Sequence, residues 1–81
     1  MRVLIDFHAD WCAPCKGMKP ILKEISKEYT VLEVDVDKEP EKVTQYGVLS
    51  VPTYIVMDGN EEIRRFIGAT SKEEIEQSLR L

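Results

Sequence analysis

Cys12 and Cys15 are the only two cysteines of this 81-residue chain, and two residues separate them. On the first turn of a helix, side chains three positions apart lie on one face with their Cβ atoms about 5–6 Å apart, which suits a disulfide. Pro14 fits that turn because its missing N–H would have had no partner there. The spacing therefore predicts a helix that begins at about Ala13 and carries a dithiol able to open and close with little movement.

The start of a helix also favours the thiolate form of Cys12. Free N–H groups and the partial positive charge of a helix N-terminus both stabilise a negative sulfur. We therefore predict that Cys12 is the exposed nucleophile in thiol–disulfide exchange and that Cys15, buried one turn into the helix, is the resolving thiol. The alternative is half of a zinc site, but zinc needs about four ligands, and the only other soft donor is the single histidine, His8.

Hydrophobic patterning predicts one α/β domain, residues 1–81, with the element order β-α-β-α-β-β-α. The strands are expected at 3–8, 31–36, 52–57 and 61–67, and the first two helices at 13–29 and 37–46. Asp37 is the expected cap of the second helix. A capping box, Ser71-x-x-Glu74, opens the third helix, and Asp58-Gly59-Asn60 reads as a hairpin turn. Because one helix connects the first two strands, these strands form a right-handed parallel pair.

Composition excludes several classes of partner. The formal net charge is −4, and no Lys/Arg cluster forms a continuous patch, which argues against nucleic acid and anionic membranes. No apolar stretch approaches the 18 or more residues of a membrane span. An acid follows three apolar residues at the start, a pattern that does not fit a signal peptide. Without an export signal, the paired cysteines indicate a redox motif in the cytoplasm. We expect a monomer that needs no cofactor besides this disulfide.

An ordered set of further motifs makes the chain resemble the thioredoxin family from residue 3 to residue 79. Asp6 precedes the first cysteine by six residues, Pro20 lies inside the following helix, and Val51-Pro52-Thr53 precedes the third strand. Gly59 and Gly68 fall where the family places a hairpin turn and the end of its last strand. The resemblance implies a four-stranded mixed sheet of order 2-1-3-4 with helices on both faces. Relative to thioredoxins of usual length, the first strand and helix are missing, so we expect one face to be thinly covered.

Asp6 is the most informative residue outside the dithiol. A carboxylate buried in a central strand is costly unless it is paired or protonated, and burial should raise its pKa toward neutrality. The resemblance implies that Asp6 lies beneath the dithiol and acts as the base that helps to deprotonate Cys15. The alternative is an acid at a frayed strand end.

The resemblance also assigns the surface that receives substrate. Pro52 corresponds to the family's cis-proline, which faces the dithiol and turns the chain so that the backbone of Val51 can pair with an extended substrate. The alternative is an ordinary proline at the first residue of a strand. The expected substrate-binding residues form a shallow apolar rim around Cys12; they are Trp11, Ala13, Pro14, Val51, Gly68 and Ala69.

Three residues depart from the family's usual pattern. Ala13 replaces the glycine usual between the cysteines, and His8 stands where an aromatic residue, usually tryptophan, is expected. Glu33 stands where many bacterial members have a lysine that pairs with the buried acid, although other members also carry glutamate. The implied function is reduction of protein disulfides, with a thioredoxin reductase as electron donor. The alternatives are a glutaredoxin-like protein supplied by glutathione and a thioredoxin-fold binding module without redox turnover.

Overall fold

A computed structural model describes residues 1–80 of the chain. It contains the seven predicted elements in the predicted order: β1 (Arg2–His8), α1 (Ala13–Ile25), β2 (Thr30–Asp35), α2 (Pro40–Tyr46), β3 (Thr53–Asp58), β4 (Glu61–Ile67) and α3 (Lys72–Leu79).

The four strands form one mixed sheet in the order β2-β1-β3-β4, as predicted. β1 pairs in parallel with β2 and antiparallel with β3, and β3 pairs antiparallel with β4. β1 is therefore an interior strand. Asp6 lies between Glu33 of β2 and Tyr54 of β3 in this register, so it is not at a frayed end, and the alternative for this residue is wrong.

Alternation along β1 divides the core between the two faces of the sheet. On one face, Leu4 packs against the apolar stripe of α1 and against Ile75 and Leu79 of α3. On the other face, Ile5 and Phe7 pack together with residues around α2, which has no fully buried residue of its own. Burial of such side chains contributes about 1.5–3 kcal/mol each. Leu32 of β2, the direct partner of Ile5, is 49% exposed on this face, which agrees with the expected thin cover.

Two predicted helix boundaries are wrong. α1 ends at Ile25, and residues 26–29 form a turn in which the N–H of Tyr29 donates to the carbonyl of Ile25 at 2.9 Å. The apolar pattern misled the prediction because Tyr29 packs on the same core without being helical.

α2 begins at Pro40 with Glu39 as its cap, not at the predicted cap Asp37. The Asp37 carboxylate accepts a hydrogen bond from Trp11 Nε1 at 2.9 Å.

Only one of the two hydrogen bonds of the predicted capping box forms at α3. The Ser71 hydroxyl accepts a hydrogen bond from the backbone N–H of Glu74 at 3.2 Å, as predicted. The Glu74 carboxylate is paired with Arg64 of β4 at 3.3 Å. The ion pair with Arg64 therefore replaces the hydrogen bond that the Glu74 side chain would make to the Ser71 backbone in a full capping box.

Among residues 1–80, no helix has both the length and the apolar character that crossing a bilayer requires.

Candidate active site

The two cysteines lie at the start of α1, bonded to each other as a disulfide with their Cα atoms 5.3 Å apart. Cys12 is the N-cap residue, with extended backbone, and Pro14 occupies the first turn. The Cys12 sulfur accepts a hydrogen bond from the backbone N–H of Cys15 at 3.1 Å. The predicted position of the dithiol is confirmed, and the sulfur of Cys12 takes the place that a capping oxygen has in other helices.

Exposure does not distinguish the two cysteines in this oxidised form. Cys12 is 4% exposed and Cys15 is 5% exposed, so the expectation that Cys12 is exposed is wrong. Ala9 forms a buried cluster with the two cysteines, and Val36 and Val51 pack against this cluster. What distinguishes the cysteines is the helix terminus, because its N–H group points at Cys12.

Asp6 is deeply buried beside the dithiol. It is 3% exposed, and its Oδ1 atom has no hydrogen-bond partner among the residues that the structure describes. Burial raises the pKa of Asp6 to about 6; the charge of His8 opposes this rise and that of Glu33 adds to it. Asp6 and Cys15 line the same cavity, of about 650 Å³. This arrangement places a carboxylate that can exchange protons near neutral pH in the cavity that the second cysteine also lines.

The loop before β3 closes the site on the other side of the disulfide. The Val51–Pro52 peptide bond is cis, as predicted, and Pro52 is buried. The carbonyl of Pro52 accepts a hydrogen bond from Gly68 N–H at 2.8 Å. Gly68 has φ +93°, a conformation that L side chains rarely adopt. Val51 packs on the disulfide, so this loop and the end of β4 lie beside Cys12.

Most of the predicted rim lies at the surface. Trp11 is 69% exposed although its indole N–H is bound to Asp37. The predicted rim residues Ala13, Pro14 and Ala69 are also exposed, and Val51 and Gly68 are half-buried.

Sequence reasoning missed Ile67, which is 72% exposed and pairs with Thr53, the neighbour of Pro52. Strand alternation could have found it, since Phe66 next to it is buried.

Comparison with known proteins identifies the family. The thioredoxin family model matches residues 1–81. This chain belongs to the thioredoxin family. It is 40% identical over 81 residues to a thioredoxin of Alicyclobacillus acidocaldarius, an alignment that covers 95% of this chain and 77% of the relative. The structure of a mutant thioredoxin from Halobacterium salinarum superposes with a TM-score of 0.90 at 29% identity, covering 96% of this chain and 71% of the other.

A second relative is named as a fusion of two activities, a thioredoxin reductase and a thioredoxin. The bifunctional thioredoxin reductase/thioredoxin of Mycobacterium leprae is 43% identical over 74 residues, which are 86% of this chain and 16% of that protein.

Thioredoxins as a family act on disulfides and generally work with a thioredoxin reductase. Family membership and the Cys12–Cys15 pair make this chain a thiol–disulfide oxidoreductase of the protein-disulfide type. The main prediction is favoured over the glutaredoxin-like protein and the binding module.

Proposed function

We propose that Cys12 attacks and Cys15 resolves when this thioredoxin reduces a protein disulfide. The observation that carries the proposal is the N–H of Cys15 directed at the Cys12 sulfur at 3.1 Å. In the reduced protein this N–H would stabilise a thiolate on Cys12. The thiolate attacks one sulfur of the substrate, a mixed disulfide forms, and the other substrate sulfur leaves as a thiolate. The thiolate of Cys15 then attacks Cys12, which re-forms the internal disulfide and releases the second substrate sulfur. Two electrons pass from the dithiol to the substrate.

Asp6 is the proposed acceptor of the Cys15 proton. It shares the cavity with Cys15, and its raised pKa, about 6, leaves it largely ionised at pH 7 yet close enough to neutrality to act as a base. Deprotonation of Cys15 is needed before the mixed disulfide can be resolved, because the thiolate is the nucleophile. The position of Asp6 behind the helix terminus suits that step.

The rim and the cis-proline loop are the proposed substrate surface. Val51 packs against the cluster that contains the disulfide. An extended segment of the substrate can pair with the backbone of Val51 as an added strand. The exposed Trp11 and Ile67 add apolar area on either side. An apolar surface around the attacking sulfur favours substrates that present a disulfide on an extended or partly unfolded chain.

Replacement of Ile67 with Ala should weaken the reduction of a protein disulfide. Loss of part of this contact is expected to remove about 1 kcal/mol of binding, or roughly fivefold in kcat/KM. Reduction of a small aromatic disulfide reagent should change less than twofold, since it is too small to contact Ile67 while it reacts with Cys12. Leu32, an exposed apolar residue of β2, supplies the control variant Leu32→Ala. Equal losses in both assays, or equal losses in both variants, would count against a substrate role of the rim.

A thioredoxin reductase is the proposed electron donor. The relative in which reductase and thioredoxin form one chain supports this choice. We expect reduction of a protein disulfide to turn over with NADPH and a thioredoxin reductase, and to be at least about tenfold slower with NADPH, glutathione and glutathione reductase. The reverse order of rates would favour the glutaredoxin-like alternative.

The double variant Cys12→Ser, Cys15→Ser tests the alternative of a binding module. Such a module would keep its biological activity without the two thiols, whereas an oxidoreductase would lose it. The cytoplasmic location, the monomeric state, the single domain and the lack of a further cofactor stay predictions.

A further inference from the structure

Three side chains with metal-binding atoms converge on the cavity behind the dithiol. One ligand atom each of Asp6, His8 and Glu33 lies within 4.8 Å of the other two. The topology brings them together, since Asp6 and Glu33 are direct partners of the parallel β1–β2 pair and His8 follows Asp6 on the same face of β1. All three line the cavity of about 650 Å³.

Asp6 lacks a hydrogen-bond partner in this cluster, although the charge of His8 acts on it. Its Oδ1 atom is buried and unpaired among residues 1–80. A buried carboxylate without a partner is costly, and such groups usually accept hydrogen bonds or bind metals. Three lysines, Lys16, Lys19 and Lys23, also line the cavity, but their side chains are exposed and none is hydrogen-bonded to Asp6 within the described part of the chain.

Two carboxylates and one imidazole form a donor set suited to Zn²⁺, which often uses three protein ligands and keeps water as the fourth. In tetrahedral coordination with bonds of about 2.0–2.2 Å, neighbouring ligand atoms are roughly 3.3–3.6 Å apart. His8 Nε2 and Glu33 Oε1 are 3.8 Å apart, and the Glu33 side chain is 73% exposed. The exposed Glu33 side chain has room to move toward His8, and no two of the three ligand atoms are more than 4.8 Å apart.

We propose that Asp6, His8 and Glu33 bind one divalent transition-metal ion of the Zn²⁺ type in the cavity behind the dithiol. The site does not use the cysteines, and the proposal does not depend on the proposed roles of Cys12 and Cys15. It would, however, compete with the proton transfer assigned to Asp6, since the same carboxylate is a ligand. Two of the three departures from the family pattern, His8 and Glu33, supply two of the three ligands.

The test uses oxidised, untagged protein, in which both sulfurs are bonded to each other and do not bind metal. Calorimetric titration with Zn²⁺ should give one ion per chain. The imidazole NMR signals of His8, the single histidine, should shift and saturate at the same ratio. His8→Gln and Glu33→Gln should each weaken binding by at least about tenfold, the smaller end of what loss of an outer-shell partner causes.

Glu41→Gln, a change at an exposed acid of α2, is the matched control and should leave the affinity unchanged. The proposal is overturned if wild-type oxidised protein takes up no Zn²⁺, if the His8 signals do not move, or if either ligand variant binds as tightly as Glu41→Gln. The NMR titration needs no variant, so a variant that folds poorly does not decide the outcome. None of these results bears on disulfide reduction, which is measured with reduced protein and a chelator.

Discussion

Replacement of Cys15 with Ser should convert the protein into a trap for its substrates. Cys12 can still attack a disulfide, but a serine hydroxyl does not resolve the mixed disulfide, and the chain has no other cysteine to do so. Steady-state turnover should fall roughly a thousandfold or more, the scale seen when a covalent catalytic group is removed from other enzymes. The adduct should appear as a band on non-reducing electrophoresis, and mass spectrometry should locate it on Cys12.

Cys12→Ser is the matched variant and should trap nothing. Its remaining thiol, Cys15, lacks the backbone N–H that is directed at the sulfur of Cys12. Alkylation of the reduced wild type at pH 7 gives an independent comparison, with Cys12 expected to react much faster than Cys15. Equal trapping by the two variants, or equal alkylation rates, would show that the roles of the cysteines are assigned wrongly.

Replacement of Asp6 with Asn should stabilise the oxidised protein above pH 6 and slow its catalysis. The pKa of Asp6 is raised from 3.8 to about 6, so the folded state binds this proton more tightly than the unfolded state does. The wild type therefore loses stability as the pH rises from about 4 to about 6, and the deficit persists at higher pH. At 1.36 kcal/mol per unit, the full difference is of order 3 kcal/mol.

Urea denaturation of wild type and Asp6→Asn at pH 4, 5, 6, 7 and 8 measures this difference directly. The free energies of unfolding should converge near pH 4 and separate by about 1–3 kcal/mol at pH 7, the order expected for a buried group without a partner. A chelator in all samples removes any contribution of bound metal. Glu61→Gln, at an exposed acid of β4, should show no such separation.

The same Asp6→Asn variant should resolve mixed disulfides more slowly, because Cys15 loses the group that takes its proton. Single-turnover reduction with excess substrate isolates this step, and a loss of about 10²–10⁴-fold is typical when a general base is removed. A variant that is less stable at pH 7 and turns over normally would mean that Asp6 is a paired structural acid. That outcome would remove both the stability argument and the proposed base.

The sequence determined by itself those features that depend on neighbours along the chain. The spacing of Cys12 and Cys15 with Pro14 between them placed a dithiol on the first turn of a helix, because helical periodicity and the restricted φ of proline are local properties. The Ser71 cap and the Gly59 turn followed from equally local chemistry. The sheet order and the cis bond at Pro52 came from resemblance to the family, since no local pattern predicts either.

Tertiary structure alone decided how residues far apart in the sequence meet. Val51 packs against the cluster in which Cys12 is buried. Asp37 accepts a hydrogen bond from Trp11, 26 positions away, and does not cap α2. The local predictions for these two residues, the exposure of Cys12 and the capping role of Asp37, were wrong because contacts with distant residues decided both. The meeting of Asp6, His8 and Glu33 likewise depends on the β1–β2 register. A shift of one residue would turn Glu33 to the other face of the sheet, and the register is set by the core on both faces.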